Sequence, residues 1–160
     1  MTHKRSAGLL LYRQGPAGTE VLLGHMGGPF WARKDARGWS VPKGEYESGE
    51  EPLAAAHREF HEELGRPAPQ GPYLSLGEKK QPSGKIVTVW AVPGDFDPAT
   101  MVPGTFSMEW PRGSGRVQDF PELDRVEWCT PERARVALVA AQTVFVDRLL
   151  AKLAPGAKAP

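Results

Sequence analysis

Cysteine is almost missing: Cys129 is the one thiol in 160 residues. An internal disulfide and a cysteine-built zinc cluster are therefore excluded, and a lone thiol fits a reducing compartment. An excess of either charge is also lacking, because 20 Lys and Arg stand against 19 Asp and Glu for a net charge of +1. With no global field to hold DNA, RNA or anionic lipid, any phosphate has to be recruited locally. No apolar run approaches the roughly 18 residues of a membrane span. The run Ala7–Tyr12 behind Lys4 and Arg5 is too short for a signal core and closes at Arg13, so it reads as a strand. A soluble cytoplasmic protein with no membrane partner and no strong nucleic-acid signal is the expectation. Internal repeats are absent, and neither Gly27-Gly28 nor Gly113-Ser114-Gly115 has the spacing of a dinucleotide or P-loop motif.

What is present is an ordinary globular composition, 40% hydrophobic and 24% charged, in a chain long enough for one core. Eighteen glycines and 16 prolines make it rich in turns. Strands are expected over Ala7–Arg13 and Glu20–His25, joined through Gly15-Pro16-Ala17-Gly18. A long loop, Met26 to Trp39, precedes an extended piece, Trp39–Val41. A helix is expected over 51–64, with Pro52 in its first turn and Gly65 then Pro67 as stop signals. Strands follow over 73–79 and 85–92 around Gln81-Pro82-Ser83-Gly84, with shorter ones at 105–110 and 124–128. Thr130-Pro131 opens a last helix, along which Leu138, Ala141, Phe145, Leu149 and Leu153 recur at helical spacing. One domain over 1–153 and a flexible tail over 154–160 are expected.

On the first helix, about 100° per residue places Leu53, Ala56, Phe60 and Leu64 on one apolar stripe. Glu59, Glu62 and Glu63 crowd a separate patch at i, i+3 and i+4, a repulsive arrangement that calls for something cationic. Hard carboxylate oxygens suit Mg2+, with Mn2+ as the alternative; the bland alternative is a solvated acidic face. His57 and His61 have zinc-ligand spacing, but Arg58 stands where a metalloprotease needs glutamate, so both read as partly buried structural residues.

The chain runs Gly44, five residues, Glu50, seven residues, then Arg58-Glu59-Phe60-His61-Glu62-Glu63-Leu64-Gly65. This resembles the signature of the Nudix hydrolases, departing only at its final apolar place, where Arg66 stands. The resemblance implies an α/β fold with a mixed β-sheet between α-helices. It implies metal binding by Gly44, Glu59, Glu62 and Glu63, with Glu50, Arg58 and Gly65 as structural parts of the motif. Trp39-Ser40-Val41-Pro42-Lys43-Gly44 is similar to the Trp-x-x-Pro-Lys-Gly run of the diadenosine tetraphosphate and diphosphoinositol polyphosphate branches, which implies a phosphate contact for Lys43. The stretches 109–116 and 120–125 resemble a bacterial group of predicted NTP pyrophosphohydrolases. Arg112 and Arg116 are candidate anion forks, and Trp31, Trp39 and Trp110 candidate stacking platforms. Family members add a carboxylate before a strand ending in an aromatic; Glu122 fits best and Glu109 is its rival.

The expected activity is Mg2+-dependent hydrolysis of a nucleoside diphosphate linked to a further group, such as an NTP or a dinucleoside polyphosphate. The catalytic set is Glu59, Glu62, Glu63 and Glu122, with Glu62 or Glu122 as the base. A nucleotide- or RNA-binding sensor without turnover and a diphosphoinositol polyphosphate phosphohydrolase are the alternatives. The expected partner is a nucleotide or another diphosphate-containing small molecule, with a homodimer left open.

Overall fold

The computed structural model describes residues 4–154. Strands β1 (Arg5–Gly15) and β2 (Gly18–Met26) form an antiparallel hairpin at the centre of a seven-stranded mixed sheet. β3 (Trp39–Ser40) pairs with the end of β2, and β4 (Lys43–Glu45) with the start of β1. Helix α1 (Pro52–Leu64) follows, then β5 (Leu74–Lys80) and β6 (Ile86–Pro93), with β6 parallel to β1 and β5 at its outer side. A separate two-stranded ribbon, β7 (Thr105–Glu109) and β8 (Val117–Pro121), leads into β9 (Leu123–Cys129), which pairs with β2. Helices α2 (Pro131–Ala137) and α3 (Thr143–Leu153) close the described chain.

Both faces of the sheet are covered, which is why β1 reads as a continuous apolar run rather than an alternation. Period two sorts its side chains all the same. Leu9 and Leu11 pack with Ala56, Phe60 and Leu64 of α1, whereas Leu10 joins Trp39, Phe145 and Leu149 on the opposite side. The expected helix-sheet-helix layering is thus the observed one.

α1 starts at Glu51, whose carboxylate accepts from the Leu53 and Ala54 amides, and Pro52 occupies the first turn. It ends at Gly65 in the left-handed region, φ 76°, with the Gly65 amide donating to the His61 carbonyl. Any side chain there would also meet the Val102 carbonyl at 2.6 Å. Of the expected stripe, Ala56, Phe60 and Leu64 are buried while Leu53 is half-buried.

Three expectations need correction. The last helix is two: the backbone leaves α2 at Leu138, where ψ is 145°, and resumes as α3 after a 3-10 turn over Ala140–Gln142. The break lets the Val139 amide donate to the Trp39 carbonyl and brings Gln142 to β3, where its side-chain N–H donates to the Ser40 hydroxyl and its oxygen accepts from the Val41 amide just beyond, while Leu138 and Phe145 still reach one core. Apolar spacing survives such a break because both pieces pack on the same face. Secondly, 117–121 is a strand, held by pairing with β7 although Val117, Gln118 and Asp119 are exposed. Thirdly, the extended piece expected over Trp39–Val41 is strand β3 over Trp39–Ser40, and a further strand, β4, carries Lys43-Gly44. Of the expected tail, Ala154 caps α3 and 155–160 lie outside the described residues.

Candidate active site

The short strand β4 decides the geometry. Gly44 pairs with Ala7 of β1 and faces α1 so closely that a Cβ on it would overlap the Glu59 carboxylate. Glycine is required here for approach, not for an unusual φ. One residue earlier, the Lys43 amide donates to Glu63 Oε2 at 3.2 Å. Strand and helix are thereby stitched together through two of the carboxylates of the patch.

Arg58 reaches the patch from the exposed side. Its guanidinium forks onto Glu50, 2.8 Å from Nε and 3.0 Å from Nη2, and Nη1 donates to Glu59 at 2.8 Å and to Glu62 at 3.2 Å. The Glu50 carboxyl is held below its ordinary range by this hydrogen bonding. Arg58 thus does more than orient the preceding loop, the role expected of it. It gathers three glutamates, and they in turn hold its guanidinium strongly protonated.

Glu63 is only 9% exposed, unusual for an acid. Burial pushes its carboxyl well above the usual range, against the pull of Lys43, and neighbouring Glu59 and Glu122 push the same way. Burial also raises Glu59, with Arg58 opposing. Lys43 is lowered by desolvation first and by Lys85 second. Like charges in a sheltered place are therefore the electrostatic character of the site.

These groups border one cavity of about 690 Å³, lined among others by Lys43, Gly44, Glu59, Glu62, Glu63 and Glu122. Glu122 arrives from the β8–β9 corner, where its amide donates to the Gly104 carbonyl and its carbonyl accepts from Gly27. Its rival Glu109 is elsewhere, accepting from the Gly113 amide at the far end of the ribbon. An adjoining cleft of about 320 Å³ shares Met26, Ser40 and Lys43 and is otherwise walled by Trp31, Pro82 and Val139 to Ala141, with Gln81 and Gln142 as its further polar members. Its lining is chiefly apolar, in contrast to the acidic chamber beside it.

The donor set of Glu59, Glu62, Glu63 and the Gly44 backbone matches a hard divalent cation in chemistry, and a cation would offset the crowding that raises Glu59 and Glu63. Among the described residues no three acidic, His or Cys side chains already converge as ligands. Arg58 holds Glu59 and Glu62, and Glu63 faces the Lys43 amide. Glu59 and Glu63 are each engaged through one oxygen, which leaves the other for a cation, whereas both oxygens of Glu62 face Arg58.

The remaining candidates scatter. Trp39 is withdrawn as a stacking platform: it is 0% exposed, packed edge-on against His25, with its indole N–H toward Asp35 at 3.3 Å. Trp31 does line the apolar cleft, and Trp110 packs on Phe30 instead. Arg112 and Arg116 are exposed at the tip of the ribbon, some 13 Å of ladder from Thr105 at the cavity; Arg112 lies over the Phe30 ring. His57 is half-buried against Tyr73 as expected, but His61 is exposed. Sequence reasoning missed Ser6, Glu45, Lys85 and Thr105, which line the cavity, and His25, 0% exposed between Asp124 and the Lys34 carbonyl. The only signals were a serine in an apolar strand and a histidine closing another.

A NUDIX domain model matches residues 2–151. The chain belongs to the NUDIX family. This Nudix domain is 39% identical over 108 residues to an 8-oxo-(d)GTP phosphatase of Mycolicibacterium smegmatis, covering 59% of the chain and 31% of that protein. It is 44% identical over 46 residues to an RNA pyrophosphohydrolase of Francisella tularensis, covering 28% of the chain and 30% of the relative. The chain thus spans about a third of the length of these curated relatives. Among solved structures, a C. elegans Ap4A hydrolase binary complex superposes with TM-score 0.64 at 24% identity, covering 94% of this chain and 97% of the other. The NUDIX domain of Shewanella oneidensis NrtR with ADP ribose gives TM-score 0.64 at 13% identity, with coverage of 96% and 90%. At these identities the likeness establishes the Nudix fold alone. Among the described residues no helix is long and apolar enough to cross a membrane.

Proposed function

We propose that this Nudix domain is a divalent-cation-dependent hydrolase that cleaves a phosphoanhydride bond in a nucleotide, at the cavity between α1, β4 and the β8–β9 corner. The observation that carries this reading is the meeting of Glu59, Glu62 and Glu63 with Glu122, from a distant part of the chain, around one chamber that also holds Lys43. Mg2+ or Mn2+ would be held by Glu59, Glu62, Glu63 and the Gly44 backbone, and when bound supplies charge neutralisation and a more acidic water. Lys43 draws a phosphate oxygen to the mouth of the chamber. Glu122 takes the proton from the attacking water as its oxygen bonds to phosphorus, and the bridging P–O bond breaks with its electrons left on the departing phosphate. Arg58 keeps Glu59 and Glu62 aligned. The apolar cleft beside Lys43, with Trp31 on its wall, takes the base.

The names of the similar proteins, an 8-oxo-(d)GTP phosphatase, an RNA pyrophosphohydrolase and an Ap4A hydrolase, support a nucleotide pyrophosphate as the substrate class. The cytoplasm suits such a substrate. The test is a Mg2+-dependent hydrolysis screen over nucleoside triphosphates, oxidised dGTP, dinucleoside polyphosphates, ADP-ribose and diphosphoinositols, with products identified and a Glu63→Gln control. Release of pyrophosphate or a nucleoside monophosphate, lost in the control, is expected. The carboxylates already engaged by Arg58 and Lys43 favour a second reading, a nucleotide-binding domain without turnover. Tight nucleotide binding with no cleavage of any substrate would establish it instead.

A further inference from the structure

The face of β4 opposite Gly44 carries a second set of polar groups. Register places Ser6 of β1 directly across from Glu45, and Gly8 across from Lys43, so Ser6, Lys43 and Glu45 share one face while Gly44 meets Glu59 on the other. On its other side Ser6 pairs with Val87 of β6, and Lys85, just before β6, reaches the Glu45 carboxylate at 3.1 Å. All four residues line the same 690 Å³ cavity as the glutamates.

Ser6 is the anomaly. It is 0% exposed, and its hydroxyl oxygen has no hydrogen-bond partner among the described residues. Leaving a buried hydroxyl unpaired is unfavourable by roughly 1–3 kcal/mol, and alanine would fill the same place in a strand of apolar residues without that penalty. On the same face, Lys43 is half-buried beside the cavity. The one carboxylate on this face, Glu45, is paired with Lys85 and half-exposed, free to swing outward when an anion takes its place. A hydroxyl donor on β1, with a lysine on β4 to one side and a lysine just before β6 to the other, offers the hydrogen-bond donors that the tetrahedral oxygens of a phosphate accept.

We propose that Ser6, Lys43 and Lys85 form a second phosphate subsite, across β4 from the glutamates, that holds a phosphate beyond the pyrophosphate being cleaved. This rests on the hydrolase reading for its role in catalysis and narrows the substrate to chains of three or more phosphates. The Ser6 hydroxyl and both ammonium groups donate to phosphate oxygens, and Glu45 leaves Lys85 as the phosphate arrives.

The test is calorimetric titration, with Mg2+, of bis-methylene triphosphate, a base-free probe whose P–C–P bridges cannot be hydrolysed. Ser6→Ala and Lys85→Gln are each expected to weaken binding about tenfold, the effect of losing one charge-assisted hydrogen bond. Ser6→Ala should not lower the thermal midpoint, since no partner is lost; Lys85 is near the surface, so its variant gives a second arm independent of packing. Absence of binding to the natural sequence, or binding by both variants within twofold of it, overturns the proposal. Nucleotide turnover with no response to either variant sinks the subsite and leaves the hydrolase reading. Probe binding that responds to both variants without cleavage of any nucleotide does the reverse.

Discussion

Replacing Gly44 by alanine separates a catalytic requirement from a folding one. The added Cβ would overlap the Glu59 carboxylate, well inside the 3.0 Å below which real Cβ contacts essentially do not occur. The obstacle is the tip of a flexible side chain and not backbone, so the clash is relieved by turning Glu59 away. Gly44 is in strand β4, and alanine there loses less chain entropy on folding, a gain of about 0.4–1 kcal/mol where the backbone conformation is compatible. Stability should therefore be unchanged or slightly higher. Activity should not be, because displacing a ligand by about 1 Å or more is worth a factor of about 10² in turnover. Urea unfolding, steady-state kinetics and Mn2+ binding followed by electron paramagnetic resonance read the three quantities on the same preparation. A Gly44→Ala protein with unchanged kcat/KM and unchanged Mn2+ affinity would refute the placing of the metal at Glu59. One that unfolds would show that glycine serves the sheet.

Glu122→Gln should lower turnover by about 10²-fold, as for removal of a general base, while Glu109→Gln stays close to the natural sequence in the same assay; the reverse order would reassign the base. Trp39→Ala should destabilise by about 3–5 kcal/mol, as for truncation of a buried aromatic, and Trp39→Phe should leave relative kcat/KM values among nucleotides with different bases unaltered, a result a stacking platform would not give. Two hydrogen bonds at 2.6 Å from Arg133 hold the Asp35 carboxyl at about 2 rather than 3.8. Because the folded value is the lower one, its stabilising effect is complete above the unfolded value and is lost as pH falls through about 2. Asp35→Asn should flatten the acid side of the stability profile between those values; an unaltered slope would show that the pair does not couple to folding.

The carboxylate patch was legible because a helix has one period, and residues at i, i+3 and i+4 meet wherever that helix is placed. Gly44, Glu50, Arg58 and Gly65 were legible because their spacing repeats a known signature. The position of Glu122 was readable only as a choice between two glutamates, since which end of the β7–β8 ribbon meets α1 depends on how the ribbon is placed in the fold and not on its own pattern. Trp39 misled for a related reason: an aromatic beside a motif has the same letter whether its ring faces solvent or, as here, the core.

By itself, then, the sequence determined the local chemistry: which helix carries the acids and which glycine ends it. These follow from helix period, chain stiffness and residue size, properties of neighbours along the chain. The tertiary structure decided everything that depends on distant segments meeting. It split the last helix so that Gln142 reaches β3, folded Glu122 back to the acids of α1, and set Ser6 of β1 between β4 and β6. Sheet register and long-range packing choose those meetings, and neither is written in the spacing of any one segment.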